Sequence, residues 1–185
     1  MDQCRLHILG PSGSGTTTLG RLVASEWSVP HADADDYFWL PTSPPYVDKR
    51  PIPERLRLMD DVFVARESWV LSGSVMGWGE PLLRHVDAVV FLTLAQEVRL
   101  DRLHTREAGR YGRSIDAGGS RHAAHQEFIE WAKGYDDPEF HGRSRARHEE
   151  WLRSVTCPVI RLDSADDPAA LLAQVLEAPM AAVSA

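Results

Sequence analysis

Cysteine is scarce in this chain, and long apolar runs are missing from it. The two cysteines, Cys4 and Cys157, have neither the spacing of a metal site nor that of a disulfide framework, which favours a reducing compartment. No apolar run approaches the roughly 18 residues that a membrane-spanning helix requires, and the first residues lack a signal-peptide pattern. We therefore expect a cytoplasmic protein with no membrane partner.

Positive charge is also in short supply. The formal net charge is −7 at pH 7, and the basic residues include only two lysines, Lys49 and Lys133. Affinity for a nucleic-acid backbone normally shows as a net positive charge or a basic face, so stable nucleic-acid binding is not expected. Small anions are compatible with this balance, because a local arginine cluster can lie on an acidic protein.

The 185 residues suit one globular domain, 1–185, in which strands and helices alternate. Short apolar runs predict strands at 4–9, 29–32, 69–71, 88–94 and 159–162. Helical spacing predicts helices at 16–27, 53–67, 96–107, 123–133, 144–155 and 168–176. This alternation is typical of parallel strands linked by crossover helices. The proline-rich and glycine-rich segments 41–53 and 109–120 are predicted to be mobile loops.

A glycine-rich stretch, GPSGSGTTTLG, joins the first predicted strand to the first predicted helix. Its glycines let successive backbone amides point inward, and the helix amino terminus adds partial positive charge where a phosphate would lie. The spacing matches the phosphate-binding pattern GxxxxG, with Thr17 at the magnesium-ligating position. We predict that ATP and Mg²⁺ bind at Gly10, Ser12, Gly13, Ser14, Gly15, Thr16, Thr17 and Thr18. The alternative is a glycine-rich turn that binds nothing.

Thr16 stands where the usual loop carries a lysine. That lysine neutralises phosphate charge during transfer, whereas threonine offers a hydrogen bond without charge. Losing one such stabilising group can cost roughly 3 kcal/mol of activation barrier. Binding should suffer less, because backbone amides hold most of the phosphate. With so few lysines in the chain, we expect an arginine to replace the missing charge.

Five arginines recur at spacings of three or four residues and would share one helix face: Arg99, Arg102, Arg106, Arg110 and Arg113. Gly109 and Gly112 are expected to break this helix, so that Arg110 lies in a flexible segment able to close over a nucleotide. We predict that Arg106 and Arg110 clamp the phosphates. A second cluster follows: Arg143, Arg145 and Arg147. The alternative for both groups is a solvated face with acidic partners.

Four stretches, in order along the chain, carry a resemblance to a known family: residues 10–17, DADDYFW, LSGS and RLDRLHTREAGRYG. Together they resemble the small P-loop kinases of the adenylate kinase and shikimate kinase type, and a group of bacterial proteins described as P-loop ATPases or adenylate kinase-related kinases. The resemblance covers nearly the whole chain. It implies a three-layer α/β/α P-loop NTPase fold, a parallel sheet of order 2-3-1-4-5, and a helical arginine-rich lid at about residues 106–145.

The same resemblance implies catalytic roles. Thr17 would be the magnesium-linked hydroxyl, and Asp33 and Asp35 would occupy the carboxylate positions after the second strand. An acid there can take a proton from an attacking hydroxyl or orient the waters of the metal. Helix capping or loop solvation accounts for these aspartates equally well. The predicted catalytic residues are Asp33, Asp35, Arg106 and Arg110.

The acceptor site is predicted from the third strand and its surroundings. Gly73 and Ser74 follow that strand at its carboxyl edge, where ligands bind in open α/β sheets. Trp39 and Trp78 could stack on a base or sugar, although tryptophan more often packs in a core. The predicted substrate-binding residues are Arg50, Gly73, Ser74, Trp39, Trp78 and Arg143.

Two functions fit these features. The first is an ATP-dependent kinase that transfers the γ-phosphoryl group to a small-molecule or nucleotide acceptor, with lid arginines replacing the lysine charge. The second is a nucleotide-binding sensor or scaffold with little turnover, in which Thr16 marks lost catalysis. A binding protein needs the glycine loop but not the acids, the substrate edge and the arginine lid, which favours the kinase. The acceptor, the purine and the oligomeric state are not determined by one sequence.

Overall fold

A computed structural model describes residues 1–179, so residues 180–185 of the predicted domain lie outside the described part. Its centre is a parallel sheet in which the strands are β1 (Arg5–Leu9), β2 (His31–Asp33), β3 (Trp69–Ser72), β4 (Ala88–Thr93) and β5 (Val159–Asp163). The strands lie in the order β2-β3-β1-β4-β5. This order confirms the one implied by the family resemblance.

Helices connect the strands. Within residues 1–179 they are α1 (Thr16–Trp27), α2 (Ala34–Phe38), α3 (Ile52–Met59), α4 (Gln96–Tyr111), α5 (His122–Lys133), α6 (Arg145–Arg153) and α7 (Pro168–Glu177). A π-helical turn, Asp60–Val64, continues α3, and 3₁₀ turns occupy Glu80–His85, Gly112–Ile115 and Gly134–Asp136. None of the helices described is both long and apolar enough to span a bilayer.

Two apolar clusters cover the two faces of the sheet. Leu6 and Ile8 of β1 lie in one cluster, with side chains from α1 and α7 that include Leu19, Val23 and Val175. Leu9 lies in the other, with Met59, Phe63 and Trp151 from the opposite helix layer. Each fully buried side chain of this kind contributes about 1.5–3 kcal/mol. The two clusters therefore hold the sheet between two helix layers and produce the three-layer α/β/α P-loop fold.

A third, smaller cluster joins α4 to α5 away from the sheet. It consists of Leu103, Ile129 and Ala132, with Leu100 and Phe128 packed against it. These two helices carry much of the segment predicted to be the lid.

Helix α2 is not predicted by the sequence pattern, because five residues are too few to show a helical period. Its first turn is stabilised by Asp33, whose side chain accepts a hydrogen bond from the Asp35 backbone N–H at 3.1 Å. Asp33 therefore does act as a helix cap, as the structural alternative for these aspartates proposed.

The predicted break of the arginine-bearing helix at Gly109 is wrong. Helix α4 continues to Tyr111 and ends at Gly112, whose φ is +52°. A glycine inside a helix costs only about 1 kcal/mol relative to alanine, so Gly109 is tolerated. Arg110 therefore lies in the last turn of α4 rather than in a flexible segment.

The segment 41–53 is tied to its neighbours at both ends. The Leu40 N–H donates to the backbone oxygen of Asp48, and the Arg50 N–H donates to that of Phe38, both at 2.8 Å. The single helix predicted at 53–67 is α3 followed by the π-helical turn, which ends at Val64.

Two histidines are fully buried in the core. His7 Nε2 lies 2.7 Å from the backbone oxygen of Gly73. Burial lowers the pKa of His7 to about 4 and that of His148 to about 3. Both imidazoles are therefore neutral inside the folded protein at neutral pH.

We predict that the folded state loses stability as the pH falls from about 6.5 towards 4. Histidine in the unfolded chain titrates near pH 6.5, so below that pH the unfolded state binds protons that the folded state does not. Each histidine should reduce the free energy of unfolding by about 1.4 kcal/mol per pH unit in this window. Urea denaturation at several pH values would measure the slope. The variant His7→Gln keeps a hydrogen-bond donor for the Gly73 oxygen, and its free energy of unfolding should depend less steeply on pH. An unchanged dependence would contradict the conclusion that His7 is buried in its neutral form.

Candidate functional site

The loop between β1 and α1, residues 10–15, lies at the carboxyl edge of the sheet and is called the phosphate loop here. Gly13 and Gly15 both have a φ of +86°, a left-handed conformation that other residues disfavour. Gly15 is the N-cap of α1, and no side chain among the described residues caps this helix. The first backbone N–H groups of α1 are therefore available to an anion, and the helix dipole favours one there.

Close packing keeps the phosphate loop in this shape. A Cβ at Gly13 would lie 2.7 Å from the backbone oxygen of Arg99, and a Cβ at Gly10 would lie 2.7 Å from that of Leu92. Both neighbours are backbone atoms, one in α4 and one in β4, so neither can move away cheaply. Glycine is therefore required at both positions.

The loop and its surroundings fit a phosphate and a magnesium ion. Ser14 Oγ is buried and, within residues 1–179, has no hydrogen-bond partner. Thr17 Oγ1 donates a 2.8 Å hydrogen bond to Asp33 Oδ2. Hydroxyl and carboxylate oxygens are the ligands that Mg²⁺ prefers. Thr17 and Asp33 are therefore the residues that could hold a magnesium ion at the start of α1.

Asp35 lies beside this pair, exposed to water at the mouth of the site. The surrounding protein removes part of its hydration and raises its pKa above the ordinary value, and the charge of Asp33 adds to that increase. The charges of Arg143 and Arg106 oppose that increase. A water-exposed carboxylate with a raised pKa is suited to exchange protons.

Arg99 does not form part of an exposed cationic face. It is fully buried, and its Nη2 donates to Asp136 Oδ2 at 2.7 Å. Its Nη1 donates to the backbone oxygen of Ser12 at 3.4 Å. A buried guanidinium that a carboxylate neutralises has a structural role. Arg99 stabilises the phosphate loop at Ser12.

Arg143 contacts the same loop residue through its side chain. Arg143 Nη2 donates to Ser12 Oγ at 2.8 Å, and the guanidinium carbon lies 4.9 Å from the ring centroid of Trp131. Burial lowers the pKa of Arg143, and the charge of Asp35 opposes that decrease. The structure therefore places this residue, which the sequence assigns to substrate binding, against the phosphate loop.

Arg106 and Arg110 share one carboxylate. Arg106 Nη2 lies 3.2 Å from Glu107 Oε1, and Arg110 Nη1 lies 3.9 Å from the same oxygen. Burial raises the pKa of Tyr46, and the charges of Arg110 and Arg106 oppose that increase. The charges of both arginines are partly neutralised by Glu107.

Ser74 belongs to a chain of hydrogen bonds that links β3 to α6. Ser74 Oγ lies 3.1 Å from His148 Nε2, and His148 Nδ1 lies 2.9 Å from the hydroxyl of Tyr135. Gly73, the preceding residue, lies next to Asp33, since a Cβ at position 73 would be 3.7 Å from Asp33 Oδ1. The carboxyl ends of β3 and β2 thus lie side by side.

The remaining predicted substrate-binding residues differ in exposure. The side chain of Arg50 donates to the backbone oxygens of Tyr37 and Trp39, at 3.0 Å and 3.3 Å. Trp78 is 6% exposed and packs inside the main core cluster. Trp39 is partly exposed, and its ring lies edge-on to Tyr46. The structure brings Arg143 to the phosphate loop and Asp33 to Thr17 and Asp35, whereas Arg50 and Trp78 make contacts within the protein.

Some residues that support the site are not identified from the sequence. His148 lies three and four residues before Trp151 and Leu152, so helical periodicity could have predicted its burial. No comparable pattern connects Trp131 with Arg143, because a turn and a loop separate them along the chain.

The fold and this site define a class of protein. A gluconokinase from Sinorhizobium meliloti superposes on the chain with a TM-score of 0.53 at 19% identity, covering 94% of this chain and 90% of the gluconokinase. A shikimate kinase from Aquifex aeolicus superposes with a TM-score of 0.51 at 16% identity, covering 93% of each chain. At these identities the likeness establishes the fold alone. The chain has the P-loop fold of the adenylate kinase and shikimate kinase type.

Sequence similarity identifies the family. The chain is 44% identical over 158 residues to the uncharacterized protein YqaC of Bacillus subtilis (strain 168), a match that covers 85% of this chain and 87% of YqaC. No protein-family model matches the chain. The chain belongs to the YqaC family.

We predict that Gly13→Ala destabilises the protein more than Gly15→Ala. Both substitutions place alanine at a φ of +86°, but only the Cβ at position 13 meets a backbone oxygen, since nothing lies within 4 Å of a Cβ at position 15. The difference in the free energy of unfolding should be about 1–3 kcal/mol, the usual cost of forcing extra atoms into a packed site. Urea midpoints measure it. Equal midpoints for the two variants would show that α4 does not constrain the loop.

Proposed function

We propose that the protein is an ATP-dependent phosphotransferase that acts on a small-molecule or nucleotide acceptor. One observation carries the proposal: a phosphate loop with uncapped amides lies beside the hydrogen-bonded pair Thr17–Asp33, at the carboxyl edge of the sheet. Solved structures with this fold include proteins named as a gluconokinase and a shikimate kinase, which supports a kinase over other phosphate-binding functions. We further propose that residues 1–185 form one domain.

Residues of the loop and of α1 would hold the nucleotide. The backbone amides from Gly13 to Thr18 would hold the phosphates, together with the hydroxyls of Ser12, Ser14 and Thr16. Thr17 and Asp33 would hold Mg²⁺. When bound, ATP with Mg²⁺ supplies the phosphoryl group and part of the charge neutralisation.

Asp35 is the proposed general base. Its exposure at the mouth of the site lets an acceptor hydroxyl reach it, and its raised pKa makes it a stronger base than an ordinary aspartate. Asp33, hydrogen-bonded to Thr17, would orient the metal rather than take the proton. The acceptor would lie along Gly73 and Ser74, with Trp39 as the aromatic side chain open to it.

The segment 106–145 is the proposed lid. Helix α5 packs on Leu103 of α4, and Leu103 also lies against Gly13, so the segment is attached to the helix that shapes the phosphate loop. Arg106 and Arg110 would approach the phosphates from α4. The positive charge that Thr16 lacks would come from arginines of this segment.

We predict that the protein binds ATP in the presence of Mg²⁺, with a dissociation constant in the range of about 1 µM to 1 mM that is common for enzyme substrates. Isothermal titration calorimetry measures the binding. Transfer of the γ-phosphate to nucleoside monophosphates, nucleosides and small hydroxy metabolites then identifies the acceptor class. The absence of heat with every nucleoside triphosphate, with and without Mg²⁺, would refute the proposal. Binding without transfer to any acceptor would favour a sensor or scaffold.

We predict that Asp35→Asn lowers phosphoryl transfer by about 100-fold or more, because it removes the general base. The affinity for ATP should change by no more than a few-fold. The matched control is Asp36→Asn, a neighbouring exposed aspartate outside the proposed machinery. Equal losses of phosphoryl transfer in the two variants would contradict the role of Asp35 as the general base.

A further inference from the structure

The charge missing at Thr16 is not supplied by either lysine of the chain. Lys133 Nζ is paired with Glu130 on α5, and Lys49 Nζ lies 5.8 Å from the ring centroid of Phe38. An arginine near the phosphate loop is the alternative source of this charge.

Most arginines near the loop already have a carboxylate partner. Arg99 and Arg145 both pair with Asp136, each at 2.7 Å. Arg106 and Arg110 share Glu107. A paired guanidinium contributes less field to a ligand than an unpaired one, because the carboxylate cancels much of it.

Arg143 differs from these four. Within the described part of the chain it has no carboxylate within 4.0 Å. Its Nη2 donates to Ser12 Oγ of the phosphate loop, and its Nε, like that of Arg99, is buried without a hydrogen-bond partner. Removing a guanidinium from water without a partner anion is costly. An anion bound at the loop would supply that partner.

The backbone around Arg143 is held in place on both sides. The next residue, Ser144, is 1% exposed and caps α6 by accepting a hydrogen bond from the Arg147 N–H. Arg145 is fixed by Asp136, which also binds Arg99 beneath the loop. Trp131 covers the guanidinium at 4.9 Å. These contacts hold the charge of Arg143 at the phosphate loop.

We infer that Arg143 is the residue that replaces the missing P-loop lysine. The inference rests on the proposed function and refines it, since it chooses Arg143 over Arg106 and Arg110. Arg143 makes and breaks no covalent bond; it neutralises the terminal phosphate of a nucleoside triphosphate held by residues 10–18.

The test moves the positive charge from position 143 to position 16. Calorimetry with Mg²⁺ gives the affinities for ATP and for ADP, which lacks the terminal phosphate, in the unaltered protein, Arg143→Gln, Thr16→Lys and the double variant. Glutamine keeps much of the side-chain length beside Trp131 but removes the charge. Arg113→Ala is the control for charge loss, because its side chain is 99% exposed and lies outside the site. Thermal melting confirms that each variant is folded.

Arg143→Gln should weaken ATP binding by about 10- to 100-fold, the range expected for a lost charge-assisted hydrogen bond, and should change ADP binding by no more than a few-fold. Thr16→Lys alone should give no gain, because it places a second cation where Arg143 already lies. In the double variant the lysine should restore most of the lost ATP affinity, and Arg143→Lys should retain part of it. Arg113→Ala should leave the ratio of ATP to ADP affinity unchanged.

The outcomes separate the inference from the proposed function. If the unaltered protein binds no nucleotide, the proposed function fails and the inference fails with it. If it binds ATP but Arg143→Gln leaves the ratio of ATP to ADP affinity unchanged, or the double variant recovers nothing, only the inference is overturned. If Arg143→Gln does not fold, Thr16→Lys decides alone: a tenfold or larger gain in ATP affinity would show that the loop lacked a cation and would overturn the inference.

Discussion

The tight curl of the phosphate loop is the constraint on which the rest of the site depends. Gly13 lies so close to the backbone of Arg99 that a methyl group would not fit, and the Arg99 side chain in turn binds the backbone oxygen of Ser12. The loop is therefore shaped by α4 as well as by its own glycines. This packing keeps the amides at the start of α1 unpaired and aimed at one place, which is the requirement for binding a phosphate.

Opposite charges meet around that loop. Asp33 and Asp35 lie at the end of β2, and the raised pKa of Asp35 reflects partial loss of water together with the repulsion of its neighbour. A polyphosphate would add more negative charge, so the site needs cations from the protein or a metal. In the usual P-loop one cation belongs to the loop itself. Here Arg143, whose guanidinium donates to the Ser12 side chain, lies 131 positions further along the chain from Ser12.

The regularly spaced arginines from Arg99 to Arg113 show what a sequence pattern can and cannot predict. Their spacing predicts a shared helix face, and the helix forms over Arg99 to Arg110, whereas Arg113 lies in the 3₁₀ turn that follows. The pattern does not distinguish among them: Arg99 is fully buried on Asp136, whereas Arg106 and Arg110 are partly exposed and share Glu107. Helix periodicity gives the direction in which a side chain leaves the helix axis. The residue that this side chain contacts depends on which other elements pack against that face of the helix.

Local pattern was sufficient for the strands, for the phosphate loop and for α1, because apolar runs, glycine spacing and helical period are properties of neighbouring residues. The strand order came with the family resemblance, and the structure confirms it. Short or atypical elements were beyond local pattern: α2 has too few residues to show a period, and Gly109 is tolerated inside α4. The contacts of Arg143, Trp131 and His148 were decided by the tertiary structure alone, because each joins elements that lie far apart in the sequence and meet only when the helix layers close on the sheet.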